Sequence, residues 1–290
     1  MAAAKPSVRV ADVDFNVMEI CRMTETAENS NVSVLLFPEL SVTGYTCGDL
    51  FGQQLLTVSA EKGIRKIMEF TRGKSVTVIA GAPVSFKGRL YDCAIILKNG
   101  NIKGIVPKIW LPNYNEFYEA RWFASGKDFL TPHAATSGRN LVNGKDSVRE
   151  GFPDEIEYAG FRCNISPNLL FETGGVIFGI EICEDMWTPV PPSTYHALAG
   201  AEIIFNPSAS NEILSKHEYR KNLMSQISAR NVCGYVYVSS GFGESTQDLV
   251  FGGAALIHEN GILLSENERF TTEPTLTIAD MDVERLRLQR

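Results

Sequence analysis

The sequence predicts a layered α/β protein, and three observations carry that reading. Stretches of helical periodicity alternate with short apolar runs. Those runs are continuously apolar, as expected for strands covered on both faces. Two Asn-Gly pairs lie between strand-like segments, and Asn-Gly readily takes the positive φ of a hairpin turn, so the sheets are mixed rather than purely parallel.

Taken in order, a helical pattern over Phe15–Asn29 precedes the apolar run Val32–Phe37, and a second over Leu50–Arg72 precedes Val76–Ala80. Leu90–Leu97 and Ile102–Val106 form a hairpin about Asn99-Gly100. Gly175–Ile182, Glu202–Phe205 and Tyr235–Ser239 read as strands, with helices at about Ser193–Ala199 and Lys216–Val232. Val250–Ile257 and Ile262–Leu264 repeat the hairpin signal about Asn260-Gly261, and Leu276–Asp280 adds a last strand. From about Thr131 to Pro167 the chain is polar with little periodicity, so a long loop or insertion is expected there. No repeat and no dividing linker is found, so residues 1–290 are read as a single domain.

Composition narrows the function. With 44% hydrophobic, 21% charged and 10% aromatic residues, the 290-residue chain is neither disordered nor low in complexity. A net charge of −7 argues against a phosphate-backbone footprint, so nucleic acid is not expected as a partner. No apolar run approaches the ~18 residues that span a bilayer, and no secretory signal is seen at Met1-Ala-Ala-Ala-Lys-Pro6, so no membrane association and a cytoplasmic location are expected. Six scattered cysteines contain no Cys-x-x-Cys pair, and the four histidines show no metal-binding spacing, so no metal is expected. Gly241–Thr246 lacks the last glycine of a dinucleotide fingerprint, and Gly174-Gly175 lacks a phosphate-loop lysine; both are read as turns.

Three strand ends carry chemistry. Cys183 closes the run Gly175–Ile182 and precedes Pro191-Pro192-Ser193, a good helix start. A strand, turn and helix would project its sulfur beside the N–H of Glu184, where a nucleophile and half an oxyanion hole coexist. Taken alone, it could as well be a buried thiol beside a solvated acidic turn. Glu39 follows Val32–Phe37, where a sheet can hold a desolvated base or merely a water-facing edge residue. Lys108 follows Ile102–Pro107 and alone would be a surface lysine. Together the three are more informative, because strand ends in an open α/β arrangement converge on one site.

Phe37-Pro-Glu-Leu-Ser-Val-Thr-Gly-Tyr45 with Cys47-Gly-Asp-Leu-Phe51, Lys108-Ile-Trp-Leu-Pro-Asn-Tyr-Asn-Glu-Phe-Tyr-Glu119, and Glu181-Ile-Cys-Glu-Asp-Met-Trp187 resemble the nitrilase (carbon-nitrogen hydrolase) superfamily. Within it they are most similar to the glutamine amidase domain of glutamine-dependent NAD synthetases. Gly241-Phe-Gly-Glu-Ser-Thr-Gln-Asp-Leu249 and Ala279-Asp-Met-Asp-Val-Glu284 extend the likeness over nearly the whole chain.

The resemblance implies a four-layer α-β-β-α sandwich and a triad of Glu39, Lys108 and Cys183, with the superfamily's additional carboxylate at Glu116. It implies substrate contacts at Tyr114, Glu184, Trp187, Ser210 and Lys216, the last standing where an arginine is expected. A lysine there lacks the bidentate fork. The implied reaction is hydrolysis of the glutamine side-chain amide to glutamate and ammonia through a cysteine thioester, with no cofactor for that step. Cys183 would attack as a thiolate favoured by Lys108. Synthetases of this type continue into an ATP- and magnesium-using domain whose phosphate loop is absent here, so the chain is expected to be the amidase half, partnered by an ammonia-using synthetase domain and forming a homo-oligomer. Two other readings stay open: a free-standing amidase of another small amide, and a non-catalytic assembly module.

Overall fold

The computed structural model describes residues 1–130 and 154–290. In chain order these give β1 (Ala2–Lys5), α1 (Val13–Asn29), β2 (Val34–Leu36), α2 (Gln54–Phe70), β3 (Thr77–Phe86), β4 (Arg89–Lys98) and β5 (Asn101–Pro107). Then come β6 (Asp154–Tyr158), β7 (Phe161–Ile165), β8 (Phe171–Thr173), β9 (Val176–Ile180), α3 (Pro192–Leu198), β10 (Ile203–Ser208), α4 (Lys216–Asn231) and β11 (Gly234–Ser239). The chain closes with β12 (Ala255–Glu259), β13 (Ile262–Glu266), β14 (Thr275–Ile278) and α5 (Val283–Gln289).

Among the described residues, two mixed sheets form, ordered β14-β1-β2-β3-β4-β5-β7-β6 and β13-β12-β11-β10-β9-β8. Strand alternation shows how they stack. In β2, Val34 and Leu36 join an apolar layer with Phe178, Ile180, Ile203, Phe205, Val236 and Val238 of the other sheet, so this layer lies between the sheets. Leu35, pointing the opposite way, packs with Val17 and Ile20 of α1 and Ile64 and Ile67 of α2. On the far side of the second sheet, Ile204, Tyr235 and Tyr237 pack with Met224 and Ile227 of α4. The order is helices, sheet, sheet, helices. Both faces of both sheets are apolar, which is why the strand sequences run apolar without a break.

Local signals account for most elements. The Oδ1 of Asp12 accepts the N–H of Phe15 at 3.1 Å and starts α1. Asn99 and Gly100, at φ of 47° and 72°, turn β4 into β5, and Asn260 and Gly261, at 44° and 85°, turn β12 into β13.

Three differences from the sequence reading have physical causes. The expected loop from Thr131 to Pro167 lies partly outside the described residues, at 131–153; its remainder forms the β6–β7 hairpin at a sheet edge. There Ile156, Tyr158, Cys163 and Ile165 face inward while Glu155, Glu157, Arg162 and Asn164 face out, and that half-polar alternation concealed the strands. Strand β3 continues past Ala80 to Phe86 despite Pro83. Its pairing with β2 ends at Ile79, so Pro83 owes no N–H to a second neighbour. Finally, β8 and α5 are elements that the periodicity did not signal. No helix among the described residues is long and apolar enough to cross a membrane.

Candidate active site

Glu39, Lys108 and Cys183 each leave the end of a strand, β2, β5 and β9 respectively. Glu39 sits in a tight turn that crosses β3 at Gly81, where a Cβ would lie 2.2 Å from the backbone nitrogen of Leu40. Only glycine admits that crossing. The Oε2 of Glu39 accepts the N–H of Ala209 at 2.6 Å, which ties this turn to the end of β10. Lys108 is fixed by its main chain: its N–H donates to the carbonyl of Asp92 at 2.8 Å, and its own carbonyl accepts the N–H of Gly126 at 2.7 Å.

The ammonium of Lys108 is fully buried and donates to Oε1 of Glu39 at 2.5 Å and to Oε1 of Glu119 at 2.8 Å. Oδ2 of Asp92 lies 3.9 Å away. Tyr45 donates its hydroxyl to the same Glu119 oxygen at 2.8 Å. Burial by itself would lower the Lys108 pKa, but the carboxylates of Glu119 and Glu39 oppose it and hold the ammonium above its ordinary range. Burial raises Glu119 to about 7, against the pull of Lys108. Glu39, Asp92 and Glu119 could present three oxygens within 4.8 Å of one another to a cation, and the cation they surround is Lys108.

Cys183 occupies a strained elbow. Its φ of +46° is one that side chains other than glycine rarely adopt, and it opens the 3-10 turn Cys183–Trp187. Asp185 holds that elbow: one oxygen accepts the N–H of Ile182 at 2.9 Å and the other the N–H of Trp110 at 2.8 Å. The thiol's backbone is thereby pinned to the segment that follows Lys108. The thiol itself departs from expectation. Burial first, and then the charge of Glu39, push Cys183 well above the ordinary thiol range, and Lys108 only partly offsets them. Burial and Glu39 thus favour the neutral thiol over a thiolate held by Lys108.

Around this core stands a rim. Tyr114 donates its hydroxyl to Glu184 at 2.9 Å, and Trp187 stacks on Tyr219 at a centroid distance of 5.5 Å. Lys216 lies 5.5 Å from the Trp187 ring and 5.8 Å from that of Phe117, and it donates to Asn211. Burial lowers the Lys216 pKa. Asn211 in turn donates to Glu116. Ser210 is buried, its hydroxyl within 3.3 Å of the Arg220 guanidinium.

All nine residues singled out in the sequence thus fall in one region, but Glu116 and Glu119 exchange places. The carboxylate on Lys108 is Glu119, while Glu116 faces Asn211 and the rim. The loop explains this: Phe117 bonds back to Tyr114 and Glu119 to Pro112, so the chain reverses and the 3-10 turn Glu119–Arg121 presents its first side chain inward.

Residues 1–290 match the carbon-nitrogen hydrolase family over their whole length. The chain belongs to that family. It is 34% identical over 293 residues to a glutamine-dependent NAD(+) synthetase of Mycobacterium leprae, covering all of this chain and 40% of the relative, so it spans less than half the length of that protein. The crystal structure of a glutamine-dependent NAD(+) synthetase from Cytophaga hutchinsonii superposes with a TM-score of 0.79 at 28% identity, over 98% of this chain and 44% of that one. An amidase from Nesterenkonia sp. shares the fold, with a TM-score of 0.71 at 17% identity over 99% of this chain and 91% of its own.

Within this carbon-nitrogen hydrolase, the sequence reading missed three buried carboxyl groups. Asp185 and Glu181 were indistinguishable from a solvated acidic turn. Yet Glu181 accepts the Ser193 N–H at 2.7 Å and the Tyr235 hydroxyl at 2.5 Å, and burial raises Asp185 to about 7. Asp92 sits in the middle of an apolar strand. A lone charged residue in such a run was the available signal.

Proposed function

We propose that this domain hydrolyses the side-chain amide of glutamine to glutamate and ammonia through a thioester on Cys183. The observation that carries the proposal is the elbow at Cys183 set against the buried Glu39–Lys108–Glu119 cluster. Because the resting thiol is neutral, Glu39 removes its proton as the sulfur attacks the amide carbon. The tetrahedral oxyanion is met by Lys108 and the N–H of Glu184. Glu39 then gives the proton to the departing ammonia and afterwards activates the water that cleaves the thioester.

The rim supplies the two charges that a free amino acid requires. Glu184, steadied by Tyr114, pairs with the substrate ammonium, and Lys216 with its carboxylate; Trp187 and Ser210 complete the pocket. Lys216 stands in an aromatic setting, between Phe117 and Trp187, that limits the water competing for it. The likeness to glutamine-dependent NAD(+) synthetases supports a further step in which the ammonia passes to a synthetase domain that uses ATP and magnesium. The amidase step itself is proposed to need no metal or organic cofactor.

Steady-state ammonia release from glutamine, asparagine, a short aliphatic amide and a nitrile tests the reading. Glutamine should give the highest kcat/KM. A higher value for the aliphatic amide would make the domain an amidase of another substrate, and no release from any of them would leave an assembly module.

A further inference from the structure

The buried cluster holds more negative groups than the reaction uses. Three ionised carboxylates, Glu39, Asp92 and Glu119, around the single ammonium of Lys108 would leave two uncompensated charges in a buried cluster. Their hydrogen bonds show where a proton must go. Glu39 has Lys108 on one oxygen and the Ala209 N–H on the other, while Glu119 has both Lys108 and Tyr45 on Oε1 and, among the described residues, no donor on Oε2, so Asp92 is the one of the three that lacks a donor on both oxygens. Among the described residues neither oxygen of Asp92 has a hydrogen-bond donor. A buried carboxylate without a donor is costly, whereas a carboxylic acid brings its own.

We propose that Asp92 is a neutral carboxylic acid whose O–H faces Glu39, making it a positioning residue that holds the catalytic base. Its place is set by the sheet: its carbonyl accepts the Lys108 N–H, and its register partner on β3 is Pro83. Its surroundings agree, since burial and the charge of Glu39 raise its pKa, while Lys108 alone opposes them. The groups that face it are Glu39 from the turn after β2, Lys108 from β5 and Glu119 from its 3-10 turn, with Cys93 beside it on β4. With the proton on Asp92, Glu39 stays ionised and oriented, and it is the acceptor for the Cys183 proton. The proton on Asp92 itself stays in place through the cycle.

The proposal rests on the amidase reading for its kinetic arm, and a second arm is independent of activity. Infrared difference spectra of wild type against Asp92→Asn at neutral pH should show a carboxylic-acid carbonyl band in the wild type that the variant lacks, and the same comparison made in a Glu119→Gln background removes any contribution of Glu119. On the kinetic side, Asp92→Leu removes the donor and should lower kcat by about 10- to 100-fold, as for losing a hydrogen bond to a charged group, with KM little changed. Asp92→Asn, which keeps an N–H donor, should recover most of that loss. A difference spectrum without the acid band overturns the proposal. So does Asp92→Asn as slow as Asp92→Leu, or Asp92→Leu as fast as wild type. If Asp92→Leu does not fold, the infrared band and the Asn variant decide. If no amide is hydrolysed, the amidase reading fails separately, and the band still tests Asp92.

Discussion

At Lys108 the charged groups are buried to within 1% of full coverage and tied to main chain from three strand ends, whereas at Lys216 the polar groups hold one another mainly through side chains and Tyr114 is 52% exposed. The two halves of one site are thus built on different principles. The inner half is placed by the fold: moving Glu39 would require moving the turn over Gly81 and its bond to Ala209. The outer half is a chain of contacts, Glu116 to Asn211 to Lys216, that can reorganise around a ligand. Chemistry that is the same at every turnover benefits from the first arrangement, and recognition of a substrate that must enter and leave is served by the second.

Substitutions in the inner half should therefore act on turnover, and the largest effects belong there. Cys183→Ala should abolish amide hydrolysis while leaving the melting temperature close to wild type. Glu39→Gln should lower kcat by roughly 10²–10⁴, the range for losing a general base, and Lys108→Ala by roughly 10²–10³, the range for an oxyanion donor. Kinetics on purified variants decide this. A Lys108→Ala enzyme at wild-type rate would leave Lys108 with a structural role only.

The exchange of Glu116 and Glu119 sharpens the comparison further. Glu119→Gln weakens a charged hydrogen bond to Lys108 and should cost about 10- to 100-fold in kcat. Glu116→Gln touches the rim and should appear mainly in KM. Equal effects of the two substitutions on kcat would show that the inner cluster extends out to the rim.

Lys216→Ala should raise KM for glutamine about tenfold, about 1.4 kcal/mol, with kcat within a few-fold. Lys216→Arg should bind at least as well as wild type, because the guanidinium fork suits a carboxylate. A tenfold loss of kcat in Lys216→Ala would place Lys216 in the inner half, where its pull on Cys183 would then be the reason.

This division also decided what was legible in the sequence. Glu39, Lys108 and Cys183 could be found because each terminates an apolar strand, and a fold built from covered sheets brings strand ends together. Glu116 was assigned by resemblance, and spacing from Lys108 cannot reveal a chain reversal at Tyr114–Phe117, which depends on bonds to Pro112 made only in the folded loop. Asp185 was hidden for a related reason: its donors are main-chain N–H groups of Ile182 and Trp110, one of them far away in sequence, and no pattern of residue types marks such partners. The pull of Lys108 on the thiol was legible, whereas the burial and the charge of Glu39 that oppose it were not. Among the elements, the strands buried on both faces were plain, and the half-polar hairpin β6–β7 was not.

Buried ionisable groups with opposite demands should also shape the stability of the fold. Glu119 and Asp185 are each raised to about 7 by burial, so the folded state binds protons that the unfolded chain has released. Their contribution is fully present in acid and is lost as pH rises from the ordinary carboxylate range through about 7. His196 and His258 are lowered to about 4, again by burial, so the folded state excludes protons that the unfolded chain takes up. Their contribution is present above about 6.5 and is lost as pH falls toward 4. The two windows overlap, so these contributions oppose each other between about pH 4.5 and 6.5 and the wild-type curve should be nearly flat there. Thermal melts between pH 4 and pH 9 should show Glu119→Gln losing less stability than wild type as pH rises through about 7, and His196→Gln losing less as pH falls toward 4. If Glu119→Gln instead steepened the alkaline decline, the ionised Glu119 would be stabilising the cluster around Lys108, and the excess of negative charge inferred there would be wrong.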